Sequence, residues 1–549
     1  MNRRTFISAL GASLAATQVG TVGATTDGDR DVHGSATNVI VMMGDGMGFD
    51  TIQSTSHVHG GLEMESLTTA GLTRTFPREG EVTDSAAAGT ALATGFKAHN
   101  GQISVRGPAS ADSNAQTSLT TQLELAQEFG MSTGLVTTTR LTHASPAAYA
   151  AHVPDRTMEG EIATQYLERE PEVMLGGGAE IWSDEQLGRA EELGYEVLSD
   201  NEDLATAGDN KLLGLFDDSH IAYTVDRADT HPSLPQMVTE AVERLEGNDQ
   251  GFFLFVEGGR IDHACHLADP WTAVSETKEF DDTVGWVREY VAERDDTVMI
   301  VTADHETGGM STGHGEYGAV LDTDALASAT ASTVAMYAAI ARGGDIRDVV
   351  NRHLDFEGEL STEERLRIRD AIDEGALVGS STIGTVLSPY VGIDWPDHPG
   401  PGHPTPMNAH TGPSQIVLAA GAGVDGAGLS GWHHHHTDLS ATISAILMFG
   451  GVEAVPEAYR DEWERSVTQR GANGVRDAYI ALQYLGPVEN DTPLHSALDL
   501  NDDGVIDLED VMTIHGGEAV GDESTEDRSA DLRVDTPMSV SGPESPHDF

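Results

Sequence analysis

Five short runs of almost unbroken apolar residues, 38–43, 133–138, 252–256, 298–302 and 415–419, constrain this chain more than any other feature. A strand that is apolar on both faces must be covered on both, which is the condition of strands inside a largely parallel sheet. Between the runs lie helical stretches, among them 118–128, 237–245 and 274–293. This alternation predicts an α/β fold: a doubly wound, largely parallel central sheet with helices on both faces. With 39% hydrophobic residues in a chain of 549, there is enough apolar material for sizeable cores. Residues 310–402 interrupt the pattern with helical segments at 335–354 and 362–374 and then a Pro- and Gly-rich stretch, and are expected to form an inserted cap at one end of the sheet.

In an open α/β sheet, ligands bind beyond the carboxyl ends of the strands. Three of the runs release metal-ligand residues at that point. The first is followed by Gly44-Asp45-Gly46. The run 252–256 is followed by Glu257, Asp262, His263 and His266, and 298–302 by Asp304, His305 and Glu306. Asp262 and His266 stand four apart and can share one face of a helical turn. Any one of these alone reads as a solvated acidic turn. Three at one sheet edge, with histidine among the acids, point to a divalent metal centre. Mixed carboxylate and imidazole donors suit Zn²⁺, whereas all-oxygen sets suit Mg²⁺.

Ser85 is the nucleophile candidate. It precedes an alanine-rich stretch that favours helix, so it is expected near a helix amino terminus, where free N–H groups and the helix dipole favour an anion. On local grounds alone, a simple helix cap at Asp84 or Ser85 is a slightly better reading than catalysis. Cys265 is expected to be a buried small residue rather than a ligand, and His433-His434-His435-His436 a solvated loop.

Taken in order, Gly44-Asp45-Gly46-Met47-Gly48, Asp84-Ser85-Ala86, His143-Ala144-Ser145-Pro146-Ala147, the segment 257–266, Thr302-Ala303-Asp304-His305-Glu306 and His410-Thr411-Gly412 resemble the signature set of alkaline phosphatase. The resemblance spans 38–450. It implies hydrolysis of small-molecule phosphate monoesters through a phosphoserine at Ser85, with Arg156 clamping the phosphate. It also implies one Zn²⁺ on Asp45, Asp304 and His305 and a second on Asp262, His266 and His410, about 3.5–4 Å apart as in other two-metal sites. A third site, usually Mg²⁺, would use Asp45, Ser145 and Glu257. His143 and His263 stand where one branch of the family carries an acid and a lysine. They are therefore taken as metal ligands or as residues behind the ligands, and the third ion as Mg²⁺ or another divalent. Many relatives dimerise, so a homodimer is open. The rival readings are a phosphodiesterase or sulfatase of the same superfamily, and a calcium-dependent surface-binding protein with an inactive phosphatase-like body.

The flanks carry separate signals. Arg3-Arg4 followed by a weakly apolar run ending near Ala24 resembles a twin-arginine export signal, so residues 1–24 are expected to be removed and the product secreted. No later run is long enough to span a bilayer. Residues 451–517 contain a weak thirty-residue duplication. Its second copy places Asp499, Asn501, Asp503, Asp507 and Asp510 at calcium-loop positions, which resembles a degenerate dockerin holding one Ca²⁺. Its partner would be cohesin-like, or the chain's own enzyme body. Residues 518–549 read as a disordered acidic tail. With 30 basic and 90 acidic residues, the formal charge of −60 argues against nucleic acid and anionic membrane as partners. The same balance is that of a protein suited to multimolar salt, where carboxylate repulsion is screened over ~3 Å or less.

Overall fold

The computed structural model describes residues 36–108, 116–313, 320–354, 359–396, 407–424, 429–433 and 435–449, together with 486–487 and 505–506. The expected export signal, the calcium-loop residues Asp499, Asn501, Asp503, Asp507 and Asp510, and the acidic tail lie outside the described residues. The chain divides into two units, the first ending at Val455 and the second beginning at Pro456. In the second, Gly486–Pro487 pairs antiparallel with Val505–Ile506.

The first unit is built on a ten-stranded sheet. In chain order its strands are β1 (Asn38–Gly44), β2 (Thr69–Thr73), β3 (Ser132–Arg140), β4 (Val173–Gly177), β5 (Tyr195–Leu198), β6 (Lys211–Leu215), β7 (Phe252–Gly258), β8 (Thr297–Ala303), β9 (Gln415–Gly421) and β10 (Gly431–His433). Across the sheet they run β10-β2-β9-β8-β1-β7-β3-β4-β6-β5. All five apolar runs are strands, and β1, β7 and β8 are buried along their whole length, as two-sided coverage requires. Only β9 runs against its neighbours β8 and β2. The chain explains why. The insertion begins and ends at the same sheet edge, where Glu306-Thr307 pairs with Thr411-His410, so the strand that follows must start at that edge and run back.

Helices cover both faces. On one side Leu234–Leu245 and Pro270–Ala292 pack on Ile40, Met42, Leu254 and Val256 through Met237, Val238, Trp271 and Phe280. On the other, Tyr149 stacks on Phe255 with ring centroids 4.2 Å apart. Burying one such aromatic contributes about 1.5–3 kcal/mol. The helix starts are written in the sequence. Ser233 and Gln236 form a capping box with Pro235 behind it, and Asp269 caps the long helix at Thr272. Two expected helices differ. The stretch expected to be helical from 118 becomes helical only at Gln122, because Thr121 caps it and Thr117–Ser118 pairs with Val105–Arg106. The expected helix 335–354 is two, Thr333–Ala341 and Ile346–His353, broken at Gly343, whose φ is +99°.

Candidate active site

The register of the sheet assembles the site. Met43 of β1 faces Glu257 on one flank and Thr302 on the other, so the carboxyl ends of β1, β7 and β8 lie level. Asp45, Glu257 and Asp304 therefore leave the sheet side by side. Gly46 turns the chain with φ +68°, and a Cβ there would stand 2.7 Å from the Cα of Asp262. The helix Arg260–His266 adds Asp262, His263 and His266 from beyond β7. His410 arrives from the far end of the insertion. Asp45, Glu257, Asp262, His263, Asp304 and His305 are entirely buried.

Three groups of ligand-type atoms converge to within 4.8 Å: Asp262 with His266 and His410, Asp45 with Asp262 and His305, and Asp45 with His143 and Glu257. The first is the expected set for the second zinc. The second brings Asp262 between the two expected zinc positions, while Asp304 Oδ2 stands 3.1 Å from His305 Nε2. The third joins His143 to Asp45 and Glu257, with Ser145 Oγ donating to Asp45 Oδ2 at 3.5 Å.

The hydrogen bonds around these groups suit cations. His266 donates from Nδ1 to the carbonyl of Asn408 at 2.5 Å, and His410 from Nδ1 to that of Thr83 at 2.9 Å. Each ring then turns its Nε2 toward the other, and the two meet 3.0 Å apart, an arrangement in which both nitrogens can ligate one cation. At the third group, Glu257 Oε1 is buried without a hydrogen-bond partner, an arrangement that costs free energy until something ligates it. Burial pushes His305 and His143 well below the usual imidazole range, which leaves them neutral donors of an electron pair. Burial pushes Asp304 well up. Asp262 suffers the same burial, but His266, with Nε2 3.2 Å from its Oδ2, holds it well below the usual carboxylate range. The donor chemistry fits two sites of zinc type and a third of mixed carboxylate, hydroxyl and imidazole.

Ser85 opens the helix Ser85–Thr94 and is fully buried. Asp84 is the cap, accepting from Ala87 N at 2.9 Å, so cap and nucleophile candidate are adjacent residues rather than alternatives. Gly95 in the left-handed region ends the helix. Ser85 Oγ lies 3.2 Å from His305 Nε2. Arg156 contacts His143 Nε2 at 2.9 Å and Asp84 Oδ2 at 3.5 Å. His263 accepts at Nδ1 from Arg260 at 2.6 Å and stands ring to ring with His143.

Several contributors escape a reading of the sequence. Thr137 and Thr139 both donate to Glu257 Oε2, and Thr307 donates to Asp262 Oδ1. His220, far from every motif, packs 4.4 Å from the ring of His263. The alternation of Thr137 and Thr139 at the end of a predicted strand was a usable signal, whereas His220 had none. Cys265 is buried, as expected. The expected solvated loop at 433–436 is corrected: His433, His435 and His436 are buried. His435 bonds the carbonyl of Phe76 at 2.8 Å and His433 that of Leu429 at 3.0 Å, so they serve the packing. His434 lies outside the described residues.

Comparison with known proteins points to one family. The family described as alkaline phosphatase matches residues 36–352. Alkaline phosphatase 4 of Bacillus subtilis is 34% identical over 364 residues, 63% of this chain and 77% of that one. The crystal structure of a cold-active alkaline phosphatase from a psychrophilic Shewanella is 30% identical, with a TM-score of 0.66 over 75% of this chain and 99% of that one. That of Thermus thermophilus alkaline phosphatase is 28% identical, also with a TM-score of 0.66, over 76% of this chain and 91% of that one.

Proposed function

We propose that this chain, which belongs to the alkaline phosphatase family, hydrolyses phosphate monoesters by passing the phosphoryl group to Ser85 and then to water. The observation that carries the reading is the placement of Ser85 Oγ at a helix amino terminus, 3.2 Å from His305 Nε2 and beside the converging imidazoles and carboxylates. Asp45, Asp304 and His305 would hold one Zn²⁺, and Asp262, His266 and His410 the other. Asp45, Glu257, Ser145 and His143 would hold the third ion, Mg²⁺ or another divalent. Bound there, the zinc pair would acidify the serine hydroxyl and offset charge on the leaving oxygen.

The chain's own groups do the rest. Ser85 Oγ attacks phosphorus, the bond to the ester oxygen breaks, and a phosphoserine remains. Water then attacks the same phosphorus, the P–Oγ bond breaks, and inorganic phosphate leaves. Arg156 lies with its guanidinium between His143 and Asp84 and would turn its planar fork onto the phosphate oxygens. Asp84 does double duty, capping the Ser85 helix and bracing that arginine. His263, backed by Arg260 and ring to ring with His143, would contact the phosphate side.

Residues 1–24 we read as a twin-arginine signal that sends the enzyme outside the cell, and 451–517 as a calcium-binding module with one Ca²⁺. The formal charge of −60 supports a working medium of high salt.

The test is phosphoenzyme formation with a chromogenic phosphomonoester in the presence of Zn²⁺ and Mg²⁺. A burst is expected from the wild type and none from Ser85→Ala, whose metal content should stay near normal. A burst that survives in Ser85→Ala removes Ser85 from the mechanism.

A further inference from the structure

We propose that His152 is a positioning residue that sets Arg156 for phosphate through a strained, buried node at Ser104. The inference rests on the reading of Arg156 as the phosphate clamp.

Ser104 has φ +44°, in the left-handed region that favours glycine. A serine persists there only where its surroundings over-determine it, and such strain gathers at functional sites. Its backbone N–H donates to Thr90 Oγ1 at 2.8 Å, on the helix that Ser85 opens. Its hydroxyl donates to the carbonyl of Ala148 at 2.5 Å, on the helix Ala144–Ala150 that carries Ser145. Its carbonyl accepts from His152 Nδ1 at 2.9 Å. One residue that no motif contains thus ties together the nucleophile helix, the third-site helix and the segment leading to Arg156.

The ring of His152 is pinned on its other side as well. Nε2 lies 2.9 Å from Glu124 Oε1, with both side chains about nine-tenths buried. Glu124 is itself locked by its capping box with Thr121 and by Arg169. From His152 the chain pairs with the Ser104 segment through Ile103 and Val153, and Arg156 N donates to the carbonyl of Gly101 at 2.8 Å. Gly101 N in turn donates to Asp84 Oδ2, the carboxylate that braces the arginine. The imidazole therefore anchors one end of a five-residue segment whose other end is the clamp.

A histidine that only fills the core would lower the melting temperature when removed and leave phosphate affinity alone. A positioning residue makes a different prediction. His152→Ala should raise the inhibition constant for inorganic phosphate and KM by about tenfold, with a much smaller change in kcat, because a shift of an ångström at the guanidinium weakens a bidentate contact. In an Arg156→Ala background the same substitution should raise the inhibition constant no further. Should the alanine variant fail to fold, His152→Phe keeps the ring volume, removes both hydrogen bonds, and carries the same expectation. A folded variant with wild-type phosphate inhibition overturns the proposal, as does an equal effect with and without Arg156. If Arg156→Ala itself leaves phosphate inhibition unchanged, the clamp reading falls instead, and the inference goes with it.

Discussion

Ser85 Oγ and His305 Nε2 lie 3.2 Å apart although 220 positions separate the residues in the chain. One begins a helix and the other follows the central strand β8. The imidazole is held by packing as well as by bonds, because its ring stacks on that of His410 with centroids 3.7 Å apart. Its Nε2 also stands 3.6 Å from Asp45 Oδ1. The nucleophile candidate therefore shares one nitrogen with two carboxylates. His305→Ala is expected to cost on the order of 10²–10³ in kcat, the scale seen when one transition-state stabilising group is removed. The variant should also bind about one zinc fewer per chain in elemental analysis. Wild-type zinc content would detach His305 from the metal centre.

Gly46 admits no side chain. Its φ is +68°, and an added Cβ would meet Asp262 backbone and side chain at 2.7 Å. Its N–H also holds Asp304 Oδ1 at 3.0 Å. Gly46→Ala should push Asp45 and Asp262 apart, lose at least about 1 kcal/mol from backbone strain alone, and reduce metal content. Thermal melting with metal analysis on the same sample checks it. A variant with unchanged zinc and melting temperature would show that the loop can yield.

The group of Asp45, His143 and Glu257 has an imidazole where an all-oxygen set would favour magnesium. His143→Asp exchanges that nitrogen for an oxygen and removes the acceptor that Arg156 now contacts. Activity of the variant should respond more strongly to added Mg²⁺ than that of the wild type. The concentration of Mg²⁺ giving half-maximal activity should fall. No change in that concentration would place His143 outside the ligand set.

Lys97 gives a pH signature away from the metals. Its ammonium lies 3.0 Å from the centroid of the Phe76 ring. Burial is the main reason its pKa falls from 10.5 to about 8. Below the folded value the lysine is charged in both states and the folded state bears the desolvation cost. Between the two values the unfolded chain binds the extra proton, so stability rises with pH through that window. Wild type minus Lys97→Met, compared by thermal melting from pH 7.5 to 10.5, should show a difference that shifts in favour of the wild type as pH rises. A flat difference would mean the ammonium is better solvated than its surroundings indicate.

Much of the scaffold was legible before any coordinates. Residues 38–43, 252–256 and 298–302 are apolar on both faces, and two-sided burial leaves a mark that needs no partner to read. The helix at Ser85 was legible too, since an N-cap, an alanine run and a terminal glycine act locally. The break at Gly343 and the late start at Gln122 were not read, although Gly343-Gly344 and Thr121 were signals within reach. The burial of His435 was hidden, because its acceptor, the carbonyl of Phe76, lies 359 positions away in the chain.

What the amino-acid order alone determined, then, is which side chains leave the sheet at its carboxyl edge: periodicity, glycine placement and capping are properties of neighbours along the chain. Which of them meet was decided by register and by the return of the insertion. Only the level pairing of Met43 with Glu257 and Thr302 sets Asp45 beside both other acids. Only the pairing of Thr307 with His410 brings the imidazole of His410 to the cluster from 103 positions downstream of that threonine. The same holds for Thr137 and Thr139 at Glu257, for His220 behind His263, and for Ser104 between three elements. Each contact joins residues whose separation in sequence carries no information about distance, so the physical reason lies in tertiary packing and not in local preference.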